Sequence, residues 1–190
     1  MRWRRAKRRP WYLASTLLLV LLAVSCGGSS KSDAQQASDD LNAGLKAQVD
    51  GKTQEAIDDY HKVLVHDPRN KYAYYNLGLI EEQAGRPTSA EQNYRTALEI
   101  DPEFEPALFN LAIIRTGPAP MEAADIYRHV ITIQPNNVSA HLNLGYVLRT
   151  LGQKTEASAE FAKALALDPS IASRIPSDGL ASPKPTPKTP

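Results

Sequence analysis

Residues 71–104 read KYAYYNLGLIEEQAGRPTSAEQNYRTALEIDPEF, and most of their apolar residues have counterparts about 34 positions away in the chain. Prolines mark the same period, because Pro68, Pro102, Pro135 and Pro169 are separated by 34, 33 and 34 residues. The residue before a proline avoids the helical region, so each of these prolines predicts the end of a helix. The stretch is therefore one copy of a repeat.

Each copy predicts two helices joined by a turn. The turn at residues 85–87 is Gly-Arg-Pro, and glycine suits a helix C terminus while proline suits the first turn of the next helix. A glycine within the first helix lets the two helices approach closely. It recurs as Gly44, Gly78 and Gly145, and Ala112 replaces it in the third copy. The second helix repeats a small residue and, one turn later, an aromatic residue, at Ala56 and Tyr60, Ala90 and Tyr94, Ala123 and Tyr127, and Ala157 and Phe161.

This pattern resembles the tetratricopeptide repeat, a helix-turn-helix unit of 34 residues. The resemblance implies an all-α fold, a right-handed α-solenoid of four repeats, with a flexible tether before the repeats and a disordered tail after them. The repeats are expected at residues 37–70, 71–104, 105–137 and 138–171, and together they form the domain 37–171.

The outer copies and the third copy depart from the pattern. The first copy has Asp40 at the aromatic position of its first helix, and terminal repeats are expected to be atypical. The third copy is one residue short between Arg115 and Ala123, which predicts a tighter turn at residues 117–120. Residues 170–175 predict a short capping turn that ends before Pro176.

Residues 1–26 predict an export signal, since six basic side chains precede residue 10 and an apolar run extends from Trp11 to Val24. The run has 14 residues, whereas a membrane-spanning helix needs about 20. The basic end should stay inside and the chain beyond residue 26 should face outward. Arg8 and Arg9 also resemble a twin-arginine signal, so the export route stays open.

The sequence LLAVSC at residues 21–26 resembles the lipobox of bacterial lipoproteins, in which the cysteine is acylated and becomes the new N terminus. Ala23 stands where leucine is usual. The alternative is an ordinary cleaved signal or an uncleaved anchor in which Cys26 carries no lipid. The lipobox implies a protein anchored through Cys26 to the cell membrane or outer membrane and facing the extracytoplasmic side. Residues 27–36 are polar and predict a flexible tether.

Composition limits the function further. Residues 172–190 end in ASPKPTPKTP and predict a disordered tail. The formal net charge of +1 falls to −5 without the six basic residues before residue 10, and this opposes nucleic-acid binding, which needs a basic face. Cys26 is the single cysteine, so neither an intramolecular disulfide nor a cysteine-based metal cluster can form.

By resemblance, function lies on the concave face, which is lined by the first helix of each repeat. Positions 4, 7, 8 and 11 of a repeat form its packing face, so positions 2, 5, 6 and 9 point the other way. Position 6 is asparagine in every copy, and positions 5 and 9 are apolar or aromatic in every copy. The expected partner-binding groove comprises Asn42, Tyr72, Tyr75, Asn76, Leu79, Phe109, Asn110, Ile113, Leu142, Asn143 and Tyr146.

Two interpretations of these positions stay open. The asparagines could pair with the main chain of an extended peptide, or they could tie adjacent helices together. The apolar stripe could bind a partner, or it could be covered by helix packing or by a second copy in a homodimer. A clamp for a C-terminal carboxylate is not expected, because Leu41 and Leu45 stand where such a clamp has lysine and asparagine, and Pro106 and Asn110 stand where it has basic residues.

The sequence contains no catalytic, cofactor-binding or metal-binding motif. His141 occupies an aromatic packing position and is expected in the core. We therefore expect a non-enzymatic scaffold or adaptor of the bacterial cell envelope that needs no cofactor or metal and binds a protein or peptide partner in its concave groove. The alternative is a structural homodimer that buries the inner stripe.

Overall fold

The computed structural model describes residues 31–180. The predicted signal segment, the predicted lipidation site Cys26, and residues 27–30 and 181–190 lie outside the described residues. The helices are α1 Asp33–Val49, α2 Thr53–His66, α3 Lys71–Gln83, α4 Pro87–Ile100, α5 Glu105–Arg115, α6 Pro120–Ile133, α7 Val138–Thr150 and α8 Lys154–Leu167, followed by a 3-10 helix at Pro169–Arg174. The described residues contain no strand.

Consecutive helices form four antiparallel pairs, α1 with α2, α3 with α4, α5 with α6 and α7 with α8. Each pair packs on the next because its second helix contacts the first helix of the following pair. A helical pair cannot bury its apolar face alone, so stacking of the pairs closes a continuous core. The prediction of an all-α right-handed solenoid of helix-turn-helix units is confirmed.

Glycines end three of the four first helices. Gly51, Gly85 and Gly152 follow α1, α3 and α7 with φ of 74°, 70° and 77°, a conformation that other residues rarely adopt. Asparagine begins two of these helices. The side chains of Asn70 and Asn137 accept hydrogen bonds from the backbone N–H groups of Ala73 and Ala140.

The close approach within each pair depends on a small residue of the first helix. A Cβ atom added at Gly78 would lie 2.5 Å from Cε1 of Tyr94, and one added at Gly145 would lie 2.6 Å from the ring of Phe161. Both rings are fully buried. The predicted role of the glycine is therefore confirmed, and its neighbour is the aromatic anchor of the second helix.

The third repeat is shortened in a different way from the one predicted. Helix α5 has 11 residues, against 13 in α3, and it ends at Arg115. Four residues then separate α5 from α6, whereas three separate α3 from α4. The Thr116 hydroxyl donates to the carbonyl of Ala112 at 2.8 Å and caps the shortened end. The prediction of a tighter turn is wrong, because the missing length comes from the helix.

The ordered region also extends further at both ends than predicted. Helix α1 begins at Asp33, and the Ser32 side chain accepts from the N–H of Gln35, so residues 33–36 of the predicted tether 27–36 are helical. The predicted tail 172–190 begins too early, because Ile175 and Gly179 are buried and Asp178 pairs with Arg149 at 2.9 Å. The predicted capping turn is confirmed as the 3-10 helix. Within residues 31–180, no helix is long and apolar enough to cross a membrane.

Candidate functional site

Two cavities lie on the inner face of the solenoid, the first lined from α3, α5 and α7 and the second from α5, α6 and α7. The first cavity has a volume of about 260 Å³, and it is lined by Tyr75, Glu105, Pro106, Phe109, Asn110, Asn137 and Ser139. The second cavity lies one turn further along α5. Its volume is about 230 Å³, and it is lined by Ile113, Thr116, Tyr127, Asn143 and Tyr146. We call these two cavities together the inner groove.

Aromatic side chains of the groove rest on the aromatic residues of the scaffold. The ring of Tyr75 lies 5.4 Å from that of Phe104 and 5.9 Å from that of Tyr94. Phe109 meets Tyr127 edge to face at 5.8 Å. Each groove ring is therefore part-buried and held by packing, which makes the walls of the groove rigid before any ligand arrives.

Two of the predicted asparagines tie neighbouring repeats together. The Asn110 amide donates to the Tyr94 hydroxyl at 3.4 Å, and the Asn143 amide donates to the Tyr127 hydroxyl at 3.3 Å. Each bond joins the first helix of one repeat to the second helix of the repeat before it. Asn110 and Asn143 also line the groove. The helix-tying interpretation therefore holds for both residues, and their position at the groove wall leaves them facing a ligand.

Two predicted groove residues do not face the groove. Asn76 is only 8% exposed, and its amide donates to the carbonyl of Tyr72 in the same helix at 2.9 Å. Leu142 is fully buried in the same core cluster as Ile171 and Ile175 of the C-terminal segment. The packing of the solenoid leaves Asn76 little accessible surface and Leu142 none, and neither residue lines the inner groove, which is where these predictions fail.

Six of the other predicted residues line the inner groove, namely Tyr75, Phe109, Asn110, Ile113, Asn143 and Tyr146. The other three, Asn42, Tyr72 and Leu79, line neither cavity. Tyr72 and Ile113 are the most open apolar ones, with 47% and 42% of their surface exposed, although the Tyr72 ring also meets that of Phe104 edge to face at 5.4 Å. Asn42 is exposed on α1, and Leu79 is part-buried against the core of the second repeat. Tyr146 packs edge to face on Phe161, and its hydroxyl donates to the carbonyl of Arg174. The C-terminal segment thus contacts α7 at one end of the groove.

The sequence reasoning missed two residues at the mouth of the first cavity. The Asn137 amide donates to Oε1 of Glu105 at 3.0 Å, and both side chains line the cavity. Glu105 is the first residue of α5 and Asn137 immediately precedes α7. The prediction considered positions inside the helices, whereas the N termini of adjacent first helices also lie side by side. Glu105 and Asn137 are 32 residues apart, so they are not equivalent positions of the repeat, and the repeat pattern gave no signal for their contact.

Burial changes the acidity of the scaffold tyrosines. Burial raises the pKa of Tyr94. The Tyr94 hydroxyl donates a hydrogen bond to the carboxylate of Glu82 at 2.7 Å, and this contact raises the pKa further. Burial also raises the pKa of Tyr75. The hydrogen bond from Asn110 lowers that pKa, and the negative charges of Glu105 and Glu82 raise it again. Burial is thus the largest cause of the raised pKa of Tyr75, and the nearby carboxylates of Glu105 and Glu82 act in the same direction.

His141 and the largest of the described clefts lie outside the inner groove. His141 is buried, with Nδ1 2.6 Å from Oε2 of Glu160 and Nε2 2.9 Å from the carbonyl of Pro135, so the prediction of a core residue is confirmed. An outer cleft of about 420 Å³ lies beside His141 and Leu167. Among residues 31–180, no group of three His, Cys, Asp or Glu side chains is placed to hold a metal ion.

The repeats match a known family. Two family models described as tetratricopeptide repeat match residues 41–103 and residues 138–171, which together make up 97 of the 190 residues. The chain is a tetratricopeptide repeat protein. A comparison with curated proteins gives no match.

Solved structures of tetratricopeptide proteins share the fold. MamA is 23% identical with a TM-score of 0.65, and the alignment covers 72% of this chain and 75% of MamA. YrrB, described as having an unusual peptide-binding site, is 22% identical with a TM-score of 0.61, over 72% of this chain and 71% of YrrB. The first such domain of Spaghetti (RPAP3), bound to the HSP90 peptide SRMEEVD, is 26% identical with a TM-score of 0.59, over 64% of this chain and 97% of that domain.

An enzyme is also among the similar structures. The O-GlcNAc transferase of Thermobaculum terrenum is 20% identical with a TM-score of 0.62, over 72% of this chain but only 27% of the transferase. The likeness therefore concerns about a quarter of that protein.

Proposed function

We propose that this protein is an adaptor of the bacterial cell envelope that binds an extended segment of a partner protein in its inner groove. The observation that carries the proposal is the pair of adjoining cavities, whose aromatic walls are fixed by packing and whose amides Asn110 and Asn143 reach the same surface. Rigid aromatic walls bind side chains at a low cost in conformational entropy. Amide groups supply hydrogen bonds that a peptide main chain can return.

The similar structures support this proposal. YrrB is described as having a peptide-binding site, and the Spaghetti domain was solved with a bound peptide. What we carry over from these proteins to this chain is the use of the solenoid as a peptide-binding scaffold. The identity of the ligand depends on the groove residues of this chain.

Capture of partners from an envelope extract tests the proposal. The double variant Tyr72→Ala/Ile113→Ala removes the two most exposed apolar side chains of the inner face. We expect it to lose most partner capture at unchanged helical content. Tyr75 and Phe109 pack against the scaffold, so their removal would confuse binding with stability.

A matched control removes exposed apolar side chains from the outer helices. The double variant Val65→Ala/Met121→Ala changes two such residues and should capture partners as the unchanged protein does. Equal capture by both double variants would contradict binding in the inner groove.

The alternative is a homodimer that buries the inner stripe. The stripe offers a second copy little apolar surface, because Tyr75, Phe109 and Tyr146 already pack on their own scaffold. A stable dimer needs about 800 Å² on each partner. We expect sedimentation of residues 27–190 to give a monomer at micromolar concentration, and a dimer that the Tyr72→Ala/Ile113→Ala variant dissolves would favour the alternative.

Anchoring through a lipid on Cys26 is part of the same proposal, and it is supported by the lipobox resemblance of residues 21–26. We expect Cys26→Ser to release the protein from membranes or to leave the signal segment uncleaved. A variant that is processed and retained on membranes like the unchanged protein would exclude lipid anchoring at this residue. Binding in the inner groove would be unaffected by that result.

A further inference from the structure

We infer that the inner groove selects an extended peptide that carries a lysine or arginine two residues from an apolar side chain. The inference rests on the proposed function and specifies the ligand of the same groove. The basic side chain would occupy the first cavity, beside Glu105, and the apolar side chain would occupy the second cavity, beside Ile113.

Glu105 supplies the charge for the first cavity. Among the described residues that line the two cavities, it alone carries a charge at neutral pH. One of its oxygens accepts from Asn137 at 3.0 Å, and a carboxylate has further acceptor positions. A hydrogen bond between a carboxylate and a cationic donor is about twice as strong as one between neutral groups.

The aromatic walls of the first cavity suit the same cation. Tyr75 and Phe109 lie on adjacent helices and both line the cavity that contains Glu105. The face of an aromatic ring attracts an ammonium or guanidinium group, and the effect grows when the site is partly desolvated. The negative charges of Glu105 and Glu82 already act on Tyr75, since both raise the pKa of its hydroxyl.

The second cavity lacks a charged lining residue among those described and is the more apolar of the two. Ile113 and Tyr146 line it, and Ile113 is one helical turn beyond Phe109. One turn rises about 5.4 Å. Side chains on the same side of an extended chain recur about every 6.8 Å. The two cavities therefore match a basic and an apolar side chain two residues apart in the ligand.

The overall charge of the repeats favours the same class of ligand. Of the 22 basic residues, six precede residue 10 and two follow residue 180, which leaves 14 against all 21 acidic residues and a net charge of −7 for residues 31–180. The basic residue nearest to the inner face at α3, Lys71, is paired with Asp101. Such a surface attracts basic peptides and repels acidic ones.

Selection from a random-peptide display library tests the inference. The full chain, purified in mild detergent, is immobilised and used for selection at low ionic strength. The peptide SRMEEVD serves as a comparison ligand, because the residue two positions after its arginine is glutamate and its three acidic side chains outnumber the single basic one. We expect enriched sequences to contain lysine or arginine two residues from an apolar residue, and we expect SRMEEVD not to bind. Replacement of the basic residue in an enriched peptide by glutamate should weaken binding by about tenfold or more.

Two isosteric variants assign the selectivity to one carboxylate. Glu105→Gln keeps the acceptor for Asn137 and removes the charge, so it should reduce the discrimination against the glutamate-containing peptide to less than about threefold. Glu103→Gln changes an exposed carboxylate of the adjoining turn and should leave the discrimination intact. Equal discrimination by Glu105→Gln and the unchanged protein would overturn the inference.

The outcomes separate this inference from the proposed function. Enriched acidic or uncharged peptides whose binding is lost in Tyr72→Ala/Ile113→Ala would overturn the inference and leave the groove as a peptide-binding site. Enriched peptides that bind that variant equally well would overturn both. The variant Lys184→Ser/Lys188→Ser removes the basic side chains of residues 181–190. If peptides bind this variant but not the unchanged protein, residues 181–190 of the same chain are the occupant of the groove, and a partner ligand is contradicted.

Discussion

Tyr94 joins three helices through one hydroxyl group. The hydroxyl donates to Oε2 of Glu82 at 2.7 Å and accepts from the amide of Asn110 at 3.4 Å. Its ring fills the space above Gly78. The last repeat has Phe161 at the same position, where no following repeat supplies an asparagine. The hydroxyl joins neighbouring repeats at Tyr94 and Tyr127, whereas that of Tyr60 bonds to Gln48 within its own repeat.

Tyr94→Phe tests this role. The substitution keeps the ring and leaves the part-buried Asn110 and Glu82 without their partner, which should lower the free energy of unfolding by about 1–2 kcal/mol. Urea unfolding followed by circular dichroism measures the change. Tyr74→Phe is the matched control, because the Tyr74 hydroxyl is more exposed and makes one long hydrogen bond, at 3.5 Å, to the carbonyl of Pro68. This substitution should cost less than about 0.5 kcal/mol. Similar losses in both variants would contradict the assignment.

His141 occupies the position of Tyr74 two repeats later and makes a related contact. Tyr74 donates to the carbonyl of Pro68, and His141 Nε2 lies 2.9 Å from the carbonyl of Pro135. Both prolines end the preceding repeat. His141 adds a second contact, 2.6 Å from Glu160.

His141→Leu should destabilise the protein by about 2–3 kcal/mol, because Glu160 and the carbonyl of Pro135 lose their partner. Leucine fits by size, since Leu108 stands at this position in the third repeat. His141→Tyr can restore the bond to Pro135, so it should lose less than His141→Leu. Thermal and urea unfolding of both variants provide the comparison. A leucine variant as stable as the unchanged protein would show that these two contacts add nothing to stability.

At the scale of elements, the C-terminal segment closes the last repeat. The 3-10 helix at Pro169–Arg174 brings Ile171 and Ile175 onto the core of the fourth repeat. Asp178 then pairs with Arg149 of α7. An interior repeat would be covered here by the first helix of its successor, so the segment replaces that helix with two apolar side chains and a turn.

Ile175→Ala tests the closing segment. Loss of a buried isoleucine typically costs about 2–5 kcal/mol, and the lower part of this range is expected at the end of a solenoid. Hydrogen exchange should show faster opening of α7 and α8, while α1 and α2 stay protected, because each repeat contacts only its neighbours. Leu180→Ala changes an exposed residue of the same segment and should have little effect. Uniform loss of protection along the chain would contradict local closure.

The repeat period predicted most of the fold because it reports packing that recurs. All eight helices fall in the predicted pairs, and the anchors Gly78 and Tyr94 contact each other as helix packing requires. The period could not predict features that occur once. One is that helix α5 ends two residues earlier than α3 does. Another is that residues 171–180 pack on the last repeat through Ile171 and Ile175, which lie beside a tail whose composition predicts disorder.

The groove was predictable only in part, for a related reason. Helical geometry placed Tyr75, Phe109 and Asn110 on the inner face, where they line one cavity. The same geometry placed Leu142 there, but Leu142 is fully buried in the core of the last repeat, which also contains Ile171 and Ile175 of the C-terminal segment. Its position on the helix alone does not predict this burial. Glu105 was not predicted as a groove residue, because a cavity at helix N termini depends on how adjacent repeats align.

At the scale of the whole molecule, buried tyrosines make the solenoid sensitive to alkali. Tyr60, Tyr94 and Tyr127 are buried in the first three repeats, and burial raises the pKa of each. For Tyr60, burial and the nearby Asp59 raise the pKa from 10.0 to about 12. A raised pKa means that the folded state holds the proton more tightly than the unfolded state. The resulting stabilisation is complete below pH 10 and is lost as the pH rises through 12.

We therefore expect the helices to unfold between pH 10 and about 12, in the same transition in which the buried tyrosines ionise. For Tyr60 alone the loss is on the order of 2–3 kcal/mol once the pH exceeds 12. Circular dichroism and tyrosinate absorbance, recorded together, test the coupling. Tyr60→Phe should be somewhat less stable at neutral pH, because it loses the bond to Gln48, but its stability should fall less steeply with alkaline pH. Lysines titrate equally in both proteins, so an equal slope would show that lysine neutralisation, and not tyrosine burial, causes the alkaline unfolding.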